Sequence, residues 1–418
     1  MISPILISLL FVSAEMSPGE RQVQLESFEH VWKTIRDKHW EAKPGGLDWQ
    51  KVHDELRPKA EQAKTADEMT AIMSDMLARL KQSHFKVISA SAYKDMDMEA
   101  SWGSGDAGFD ARVLGDAAYV VRVDPNVPVS LGWKIRKIRN RDLDTAIRAV
   151  DSVYKGTNYR DLRMTSMLQS RLTGIPGSGM TVEFEDGNGQ TVIKTILLKQ
   201  PRGKPAAFGN LPPVPVFVET SKVGNTGYIR FNMFLDPMRL ISTIGGFATG
   251  ECATCDGMVI DVRGNPGGIG IMATAVAGWF IDKANLKLGT MHMRDSTLNF
   301  VVNPRPKTFA GPVAVLIDGA SASTSEIFAG GMQDLKRARL FGTRSAAAAL
   351  PSIVEVLPNG NGFQYAVANY ISSGGKTLEA NGVVPDEEVR LTPAGLLTGK
   401  DAVLDAALSW IGKQKGKK

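Results

Sequence analysis

A short apolar run, a turn of small residues and a helix follow one another in residues 313–332, which read VAVLIDGASASTSEIFAGGM. The first five letters are typical of a buried strand, and the helix begins near Glu326. The first amides of a helix lack intrahelical partners and carry the positive end of its dipole, so an anion is stabilised there. This segment can therefore present one serine hydroxyl as a nucleophile at the start of the helix. The competing interpretation is a capping box, in which Ser323 and Glu326 only satisfy backbone donors.

Residues 257–268, GMVIDVRGNPGG, have a similar design, with a buried strand followed by paired glycines. Glycines let a backbone approach a ligand closely, because no Cβ blocks the way. If both strands belong to one parallel sheet, both turns open at the same edge. One turn would then supply a nucleophile and the other the backbone N–H groups for an oxyanion. For the glycine pair alone, a tight connection or a phosphate cradle remains an alternative.

Composition excludes several classes of protein. Hydrophobic residues make up 43% of the 418 residues and charged residues 22%, which is typical of a soluble globular protein of two or three domains. The net charge of +5 is small and arises largely from the lysine-rich tail, so no nucleic-acid partner is expected. The two cysteines, Cys252 and Cys255, lack the further ligands of a zinc site. They predict either a structural disulfide or two free thiols.

The N-terminal segment is typical of an export signal. Residues 5–12 are apolar but too short to span a bilayer, and Val12-Ser-Ala14 resembles a cleavage site. A basic region before the apolar run is lacking. We expect residues 1–14 to be removed and the protein to be periplasmic or secreted, without a stable membrane span. A buried strand or an uncleaved anchor is the alternative.

Together, the two turn segments resemble those of peptidase family S41, the group of the carboxy-terminal processing (tail-specific) proteases and the tricorn protease. The resemblance implies that Ser323 is the nucleophile, with Ser321 and Ser325 as the nearest alternatives. It also implies that the oxyanion donors are the backbone N–H of Gly267 or Gly268 and that of Thr324. Four segments carry the likeness: Thr226–Phe231, Asp261–Gly268, Asp318–Glu326 and Asn381–Asp386.

The chain departs from the processing proteases at the general base. Those enzymes use a lysine, and the matching segment here, residues 345–350, reads SAAAAL. Arg344 is close but does not release its proton in proteins. The tricorn-like branch instead uses a histidine preceded by a serine, together with a distant glutamate.

By this resemblance His84 is the base, Ser83 supports it and Glu379 completes the polar set. A histidine near its unperturbed pKa is a competent base near neutral pH. For His84 the alternative is a hydrogen-bonded structural histidine, and for Glu379 a solvated residue in a polar loop. The N-terminal histidines His30, His39 and His53 are expected to be surface or packing residues.

The predicted fold class is α/β, with a crotonase (ClpP)-like α/β catalytic core, a helical N-terminal region and an inserted PDZ-like β domain. The inserted domain could bind a chain terminus by strand addition or act as a spacer. The expected boundaries are 15–100 for the helical region with His84, 101–202 for the PDZ-like domain, 203–215 for a linker, 216–412 for the core and 413–418 for a basic tail.

The resemblance implies a serine-type peptidase that hydrolyses peptide bonds through an acyl-enzyme on Ser323, with His84 as general base. No metal or organic cofactor is required for this chemistry. The expected partners are peptides or unfolded proteins. The alternatives are a catalytically inactive binder of peptides or hydrophobic ligands, and an esterase or amidase on the same machinery. Cleavage specificity and oligomeric state stay open.

Overall fold

The computed structural model describes residues 15–89, 105–207, 209–210 and 213–414. The predicted export signal, residues 1–14, lies outside the described residues, as do the last residues of the expected helical region and the first of the expected PDZ-like domain. Within the described ranges, no helix is long and apolar enough to cross a membrane.

Three helices and a short strand form the N-terminal region. Their apolar faces pack on one another and on Phe363 and Tyr365, which come from far along the chain. The third helix has a side-chain N-cap, because the Thr65 side chain accepts a hydrogen bond from the Glu68 amide. The elements are α1 (Pro18–Lys38), α2 (Trp49–Gln62), α3 (Ala66–Ala78) and β1 (Lys86–Ile88), with a 3₁₀ turn at Pro44–Gly46.

A second unit, the β module, consists of a sheet and two helices around its own apolar core. The sheet has the order β2-β3-β4-β6-β7, and β5 pairs with β4. Residues 186–189 lie in a hairpin turn, since the flanking strands β6 and β7 pair antiparallel along their length. The elements are β2 (Phe109–Leu114), β3 (Ala117–Val123), β4 (Lys134–Ile138), β5 (Arg141–Asp142), α4 (Leu143–Tyr154), α5 (Arg160–Leu172), β6 (Gly179–Glu185) and β7 (Thr191–Leu197).

The segment expected to be a linker contains paired backbone. Strand β8 (Lys204–Ala206) pairs antiparallel with β9 (Val214–Val216), and a proline sits at the centre of each strand. Proline cannot donate to a ladder, so such a two-stranded ribbon uses the remaining amides. The segment expected to be a linker therefore contains a short two-stranded ribbon.

The core is built on a six-stranded sheet with the order β10-β11-β12-β15-β16-β20. β10 is antiparallel to β11, and the other neighbours are parallel. β12 and β15 lie side by side, with Asp261 opposite Leu316, so the two turns predicted to share one edge do so. The strands are β10 (Val218–Val223), β11 (Thr226–Phe231), β12 (Gly257–Asp261), β15 (Val313–Ile317), β16 (Arg339–Gly342) and β20 (Glu387–Glu388).

In the described part of the core, two three-stranded sheets, five α-helices and a π-helical turn at Phe247–Glu251 complete the fold. One sheet has the order β14-β13-β19 and the other β1-β18-β17, so the strand after His84 is an edge strand of the core. The last helix reaches Gln414 and includes part of the expected basic tail. The elements are α6 (Pro237–Gly246), α7 (Met272–Ala277), β13 (Lys287–His292), β14 (Thr297–Val301), α8 (Thr324–Asp334), β17 (Ser352–Val356), β18 (Gly362–Ala366), β19 (Asn369–Ser372), α9 (Pro393–Leu397) and α10 (Ala402–Gln414).

Candidate active site

Ser323 lies between the end of β15 and the first residue of α8, with a φ of +54° that non-glycine residues rarely adopt. The neighbouring serines have structural contacts. Ser321 donates its hydroxyl to the Val262 carbonyl at 2.8 Å, and Ser325 donates to the Asn265 carbonyl at 2.9 Å. Both are fully buried, whereas Ser323 is only partly buried. The Ser323 hydroxyl is therefore the one that this turn leaves partly exposed, whereas the hydroxyls of Ser321 and Ser325 are buried and hydrogen-bonded.

Both contacts of the predicted capping box are present at this turn. The Glu326 carboxylate accepts from the Ser323 amide at 3.0 Å. The Glu326 amide also has the Ser323 carbonyl oxygen as an acceptor, at 2.9 Å. Because the main chain of Ser323 can satisfy that amide, capping does not require the hydroxyl. The capping and nucleophile interpretations of this segment are compatible.

The glycine-rich turn after β12 packs directly against Ser323. A Cβ on Gly267 would lie 2.7 Å from the Ser323 Cβ, and a Cβ on Gly268 would lie 2.4 Å from the Phe234 carbonyl oxygen. Their φ angles, +102° and +143°, are also unfavourable for other residues. The Thr324 hydroxyl donates to the Gly268 carbonyl at 3.0 Å and joins the two turns. Glycine is thus needed here for close approach of the two backbones.

The two glycine amides differ in their hydrogen bonding. The Gly267 N–H donates to the Asn265 side-chain oxygen at 2.9 Å. Within the described ranges, the N–H groups of Gly268 and Thr324 meet no acceptor. Unpaired amides next to a helix N-terminus are suited to an oxyanion. The sequence left Gly267 and Gly268 as alternatives, and the geometry favours Gly268.

The Ser83–His84 loop connects α3 to β1 and is anchored by Glu379. Ser83 donates its amide to Glu379 Oε1 and its hydroxyl to Glu379 Oε2, both at 2.8 Å. The same hydroxyl oxygen lies 2.7 Å from His84 Nδ1. A carboxylate only accepts, so the single hydroxyl proton of Ser83 is used on Glu379. His84 Nδ1 therefore donates to Ser83, which leaves Nε2 with a free lone pair.

Glu379 receives two further donors, the Tyr159 hydroxyl at 3.0 Å and the Ala349 amide at 3.0 Å. Each carboxylate oxygen thus accepts two hydrogen bonds. The adjacent Ala348 carbonyl accepts from the Ser323 amide at 2.8 Å. Residues 348–349 lie in the segment where the processing proteases have their lysine. They connect the turn that holds Ser323 to Glu379, and through Glu379 to the Ser83–His84 loop.

The environment of His84 favours its neutral form. Burial, together with the cations of Lys86 and Arg163, lowers the pKa of His84 to about 4. Neutral imidazole is the form that accepts a proton. Among the described residues, no hydrogen bond joins His84 to Ser323. Catalytic hydrogen bonds are often loose before substrate binds.

Glu326 is a second buried carboxylate at the site. It is fully buried and accepts from the amides of Ser323, Ala347 and Ala348 and from the Ser345 hydroxyl. Burial raises the pKa of Glu326 to about 7. Its carboxylate holds the 345–348 segment against the nucleophile turn.

Three contacts of the site were not predicted from the sequence. They are the hydrogen bond from the Tyr159 hydroxyl to Glu379, the one from the Gly267 amide to the Asn265 side chain, and those that Glu326 accepts from the 345–348 segment. Asn265 lies within the glycine-rich signature, where a buried amide could have been suspected. Tyr159 comes from the loop between α4 and α5 of the β module, and no local pattern marks it. Within the described ranges, no cluster of three or more acidic, histidine or cysteine side chains could hold a metal ion.

The remaining N-terminal histidines have other partners. His30 and His53 each lie within 3.0 Å of a glutamate oxygen, and His39 is fully buried beside Gln82. Cys252 and Cys255 form a disulfide, which settles the alternative left open for the pair.

The site thus holds a partly buried serine at a helix N-terminus, two amides that meet no acceptor among the described residues, and an oriented neutral histidine. These are the groups that acyl transfer by a serine hydrolase requires. Comparison with known proteins gives the family. Residues 225–389 match the model of peptidase family S41, and residues 22–78 match the tricorn protease C1 domain. Residues 225–389 are therefore a peptidase family S41 domain, and the chain is a serine-type peptidase.

Two relatives and two solved structures illustrate the similarity. A carboxyl-terminal-processing protease of Picosynechococcus sp. is 26% identical over 79% of this chain and 75% of its own length. A carboxy-terminal-processing protease of Bartonella bacilliformis is 32% identical over 31% of this chain and 30% of its own length.

The photosystem II D1 C-terminal processing protease has a TM-score of 0.58 at 20% identity and aligns over 93% of this chain and 99% of its own. The tricorn protease has a TM-score of 0.53 at 16% identity and aligns over 95% of this chain and 37% of its own. These similarities confirm the predicted α/β fold.

Proposed function

We propose that Ser323 is the nucleophile of this peptidase and His84 its general base. His84 Nε2 takes the proton from Ser323 Oγ, and Oγ attacks the carbonyl carbon of the peptide bond. His84 then returns the proton to the leaving amine, which leaves an acyl group on Ser323. Water attacks the acyl-enzyme with its proton again taken by His84. The bond between the acyl carbon and Ser323 Oγ then breaks, His84 returns the proton to Oγ, and the carboxylic acid is released.

The oxyanion of both tetrahedral intermediates is held by the amides of Gly268 and Thr324. These amides need no reorganisation, because neither gives up a protein acceptor when the oxyanion forms. Removing one such donor in comparable sites lowers kcat by about 10²–10³-fold.

The observation that carries this proposal is the direction of the hydrogen bonds around Ser83. Four donors saturate Glu379, Ser83 donates to it, and His84 Nδ1 can only donate to Ser83. A ligand-binding protein without catalysis has no need for a fixed imidazole tautomer. The inactive alternative is therefore not favoured.

A serine-directed fluorophosphonate tests the assignment without knowledge of the substrate. We expect one adduct, on Ser323, that is absent in Ser323→Ala and strongly reduced in His84→Ala. His30→Ala is the matched control, because it removes an imidazole of the same N-terminal region that contacts Glu355 instead. Folded protein that is not labelled, or that is labelled equally well without His84, contradicts the mechanism.

We further propose that the substrates are peptides or unfolded proteins cleaved near the carboxyl terminus. The support is the similarity to two relatives and one solved structure that are all carboxyl-terminal processing proteases. The test uses pairs of peptides with the same sequence and either a free or an amidated carboxyl terminus. Mass spectrometry should show cleavage near the end of the free peptide and slower cleavage of its amide. Equal internal cleavage of both peptides would identify an endopeptidase.

Export from the cytoplasm is also part of this proposal. Its support is the disulfide between Cys252 and Cys255, since such bonds persist in oxidising compartments, together with the apolar run of residues 5–12. Expression with a C-terminal tag, cell fractionation and N-terminal sequencing provide the test. A mature N-terminus after Ala14 in the periplasm or medium is expected, whereas an intact N-terminus in the cytoplasm contradicts export.

A further inference from the structure

The β module reaches the candidate active site through the loop between α4 and α5. The Tyr159 hydroxyl donates to Glu379 Oε1 at 3.0 Å, and the Asn158 side chain donates to the Ala380 carbonyl at 2.8 Å. Two adjacent residues of the module are therefore fixed to two adjacent residues of the core.

The ring of Tyr159 packs on the other half of the site. It contacts a small apolar cluster that includes Ala322, next to the nucleophile, and Ala348, whose carbonyl accepts from the Ser323 amide. The Tyr159 side chain thus packs with its ring on the apolar cluster beside Ser323 and donates with its hydroxyl to Glu379.

The Tyr159 hydroxyl is a permanent donor at ordinary pH. Burial and the neighbouring Glu379 raise the pKa of Tyr159, so the phenol stays protonated. Glu379 has two oxygens with two donors each, and the phenol is the fourth donor. Without it, Oε1 would keep only the Ser83 amide.

We infer that Tyr159 is a positioning residue of the peptidase, acting on His84 through Glu379 and Ser83. This inference rests on the proposed role of His84 as general base. The phenol fixes the rotation of the Glu379 carboxylate, which fixes the Ser83 hydroxyl and the imidazole behind it. It also compensates part of the Glu379 charge, which would otherwise stabilise the imidazolium form.

Tyr159→Phe removes only the hydroxyl and keeps the ring packing. We expect the rate of fluorophosphonate labelling to fall by about tenfold, as for the loss of one hydrogen bond to a charged group. We also expect the acid limb of the pH–rate profile to move to higher pH, because a less compensated Glu379 raises the pKa of His84. Tyr119→Phe, on β3 of the same module, is the control and should change neither value. Asn158→Ala loosens the same loop without removing the phenol, and its acid limb should stay in place.

A double-mutant cycle separates action through Glu379 from packing. Glu379→Gln and the double variant Tyr159→Phe/Glu379→Gln should be labelled at nearly the same rate, since the hydroxyl has then lost the carboxylate on which it acts. Additive losses, or a slower rate with an unshifted acid limb, would overturn the inference and leave Tyr159 a packing residue. So would labelling of Tyr159→Phe at the wild-type rate.

Circular dichroism and urea unfolding of each variant exclude general loss of structure. Failure of the proposed function has a different result, because wild-type protein and His84→Ala would then be labelled equally. If wild type depends on His84 but not on Tyr159, only the present inference is wrong.

Discussion

The acid limb of the pH–rate profile is the most direct test of the environment of His84. Only neutral imidazole can take the Ser323 proton, so the limb follows the pKa of His84 in the free enzyme. The structure lowers this pKa to about 4, with burial as the main cause and Lys86 and Arg163 as further causes. A solvent-exposed histidine would have a pKa of about 6.5.

These two values give different rates at pH 5.5. With a pKa of about 4, roughly 97% of His84 is neutral, and labelling should proceed at nearly its plateau rate. With an ordinary pKa, only about 9% would be neutral and the rate would be about elevenfold below the plateau. Because the pKa of His84 is lowered, the labelling rate stays high as the pH falls below 6.5 and is lost only near pH 4.

Lys86→Gln is the informative perturbation, because it removes a cation that disfavours the imidazolium. We expect its acid limb to move upward from that of wild type, with Lys81→Gln as an exposed control that leaves the limb in place. The assay is the second-order rate constant for fluorophosphonate labelling from pH 4 to 8, which requires no known substrate.

A wild-type limb near pH 6.5 that moves upward in Lys86→Gln would refute the low pKa of His84. A limb near pH 7 that is insensitive to Lys86 would instead belong to Glu326, whose pKa is raised to about 7. The perturbation therefore identifies which group titrates.

Three further predictions concern stability and the oxyanion site. Glu326 has a folded-state pKa above its usual value of 4.5, so its contribution to the unfolding free energy is largest at low pH and falls by about 3 kcal/mol as the pH rises through 7. Urea unfolding between pH 5 and 8 should show this fall in wild type but not in Glu326→Gln, and parallel profiles would contradict it. Gly267→Ala should abolish labelling, because its Cβ would lie 2.7 Å from that of Ser323; labelling at the wild-type rate would show that the turns can separate. Replacing Cys252 and Cys255 by serine should lower the unfolding free energy by about 2 kcal/mol, as expected for so short a loop, and leave labelling unchanged, whereas a slower rate would connect the disulfide to the site.

The parts of the site that could be predicted from the sequence are those encoded by local pattern. A strand, a small-residue turn and a helix predict a serine at the start of the helix, because each step has its own composition and the steps are adjacent. The choice of Ser323 over Ser321 and Ser325 came from the family resemblance. The glycines before α7 are informative for the same reason: few other positions need both a positive φ and close approach of a second backbone.

The choice between Gly267 and Gly268 could not be predicted, since it depends on which amide the Asn265 side chain occupies. The contact of Tyr159 with Glu379 could not be predicted either, for a different reason. Its hydroxyl meets a carboxylate 220 residues away in sequence, and the loop that carries it has no catalytic pattern. The strand pairing in the proline-rich segment before β10 could not be predicted, because proline weakens a ladder and yet two short strands pair around the prolines there.

The contacts of Glu379 also explain why the base can come from a part of the chain so remote from the nucleophile. Its two oxygens bind the N-terminal region at Ser83, the β module at Tyr159 and the core at Ala349. A base on a flexible arm would lose orientation, and an error of an ångström in a catalytic contact can cost 10²-fold in rate. Four donors from three parts of the molecule remove that freedom. A fragment that begins at residue 216 would keep Ser323 and both oxyanion amides but would lack the base and two of the three anchors. The proposed hydrolytic site is therefore a property of the assembled chain, and the S41 core alone would supply only Ser323 and the oxyanion amides of that proposal.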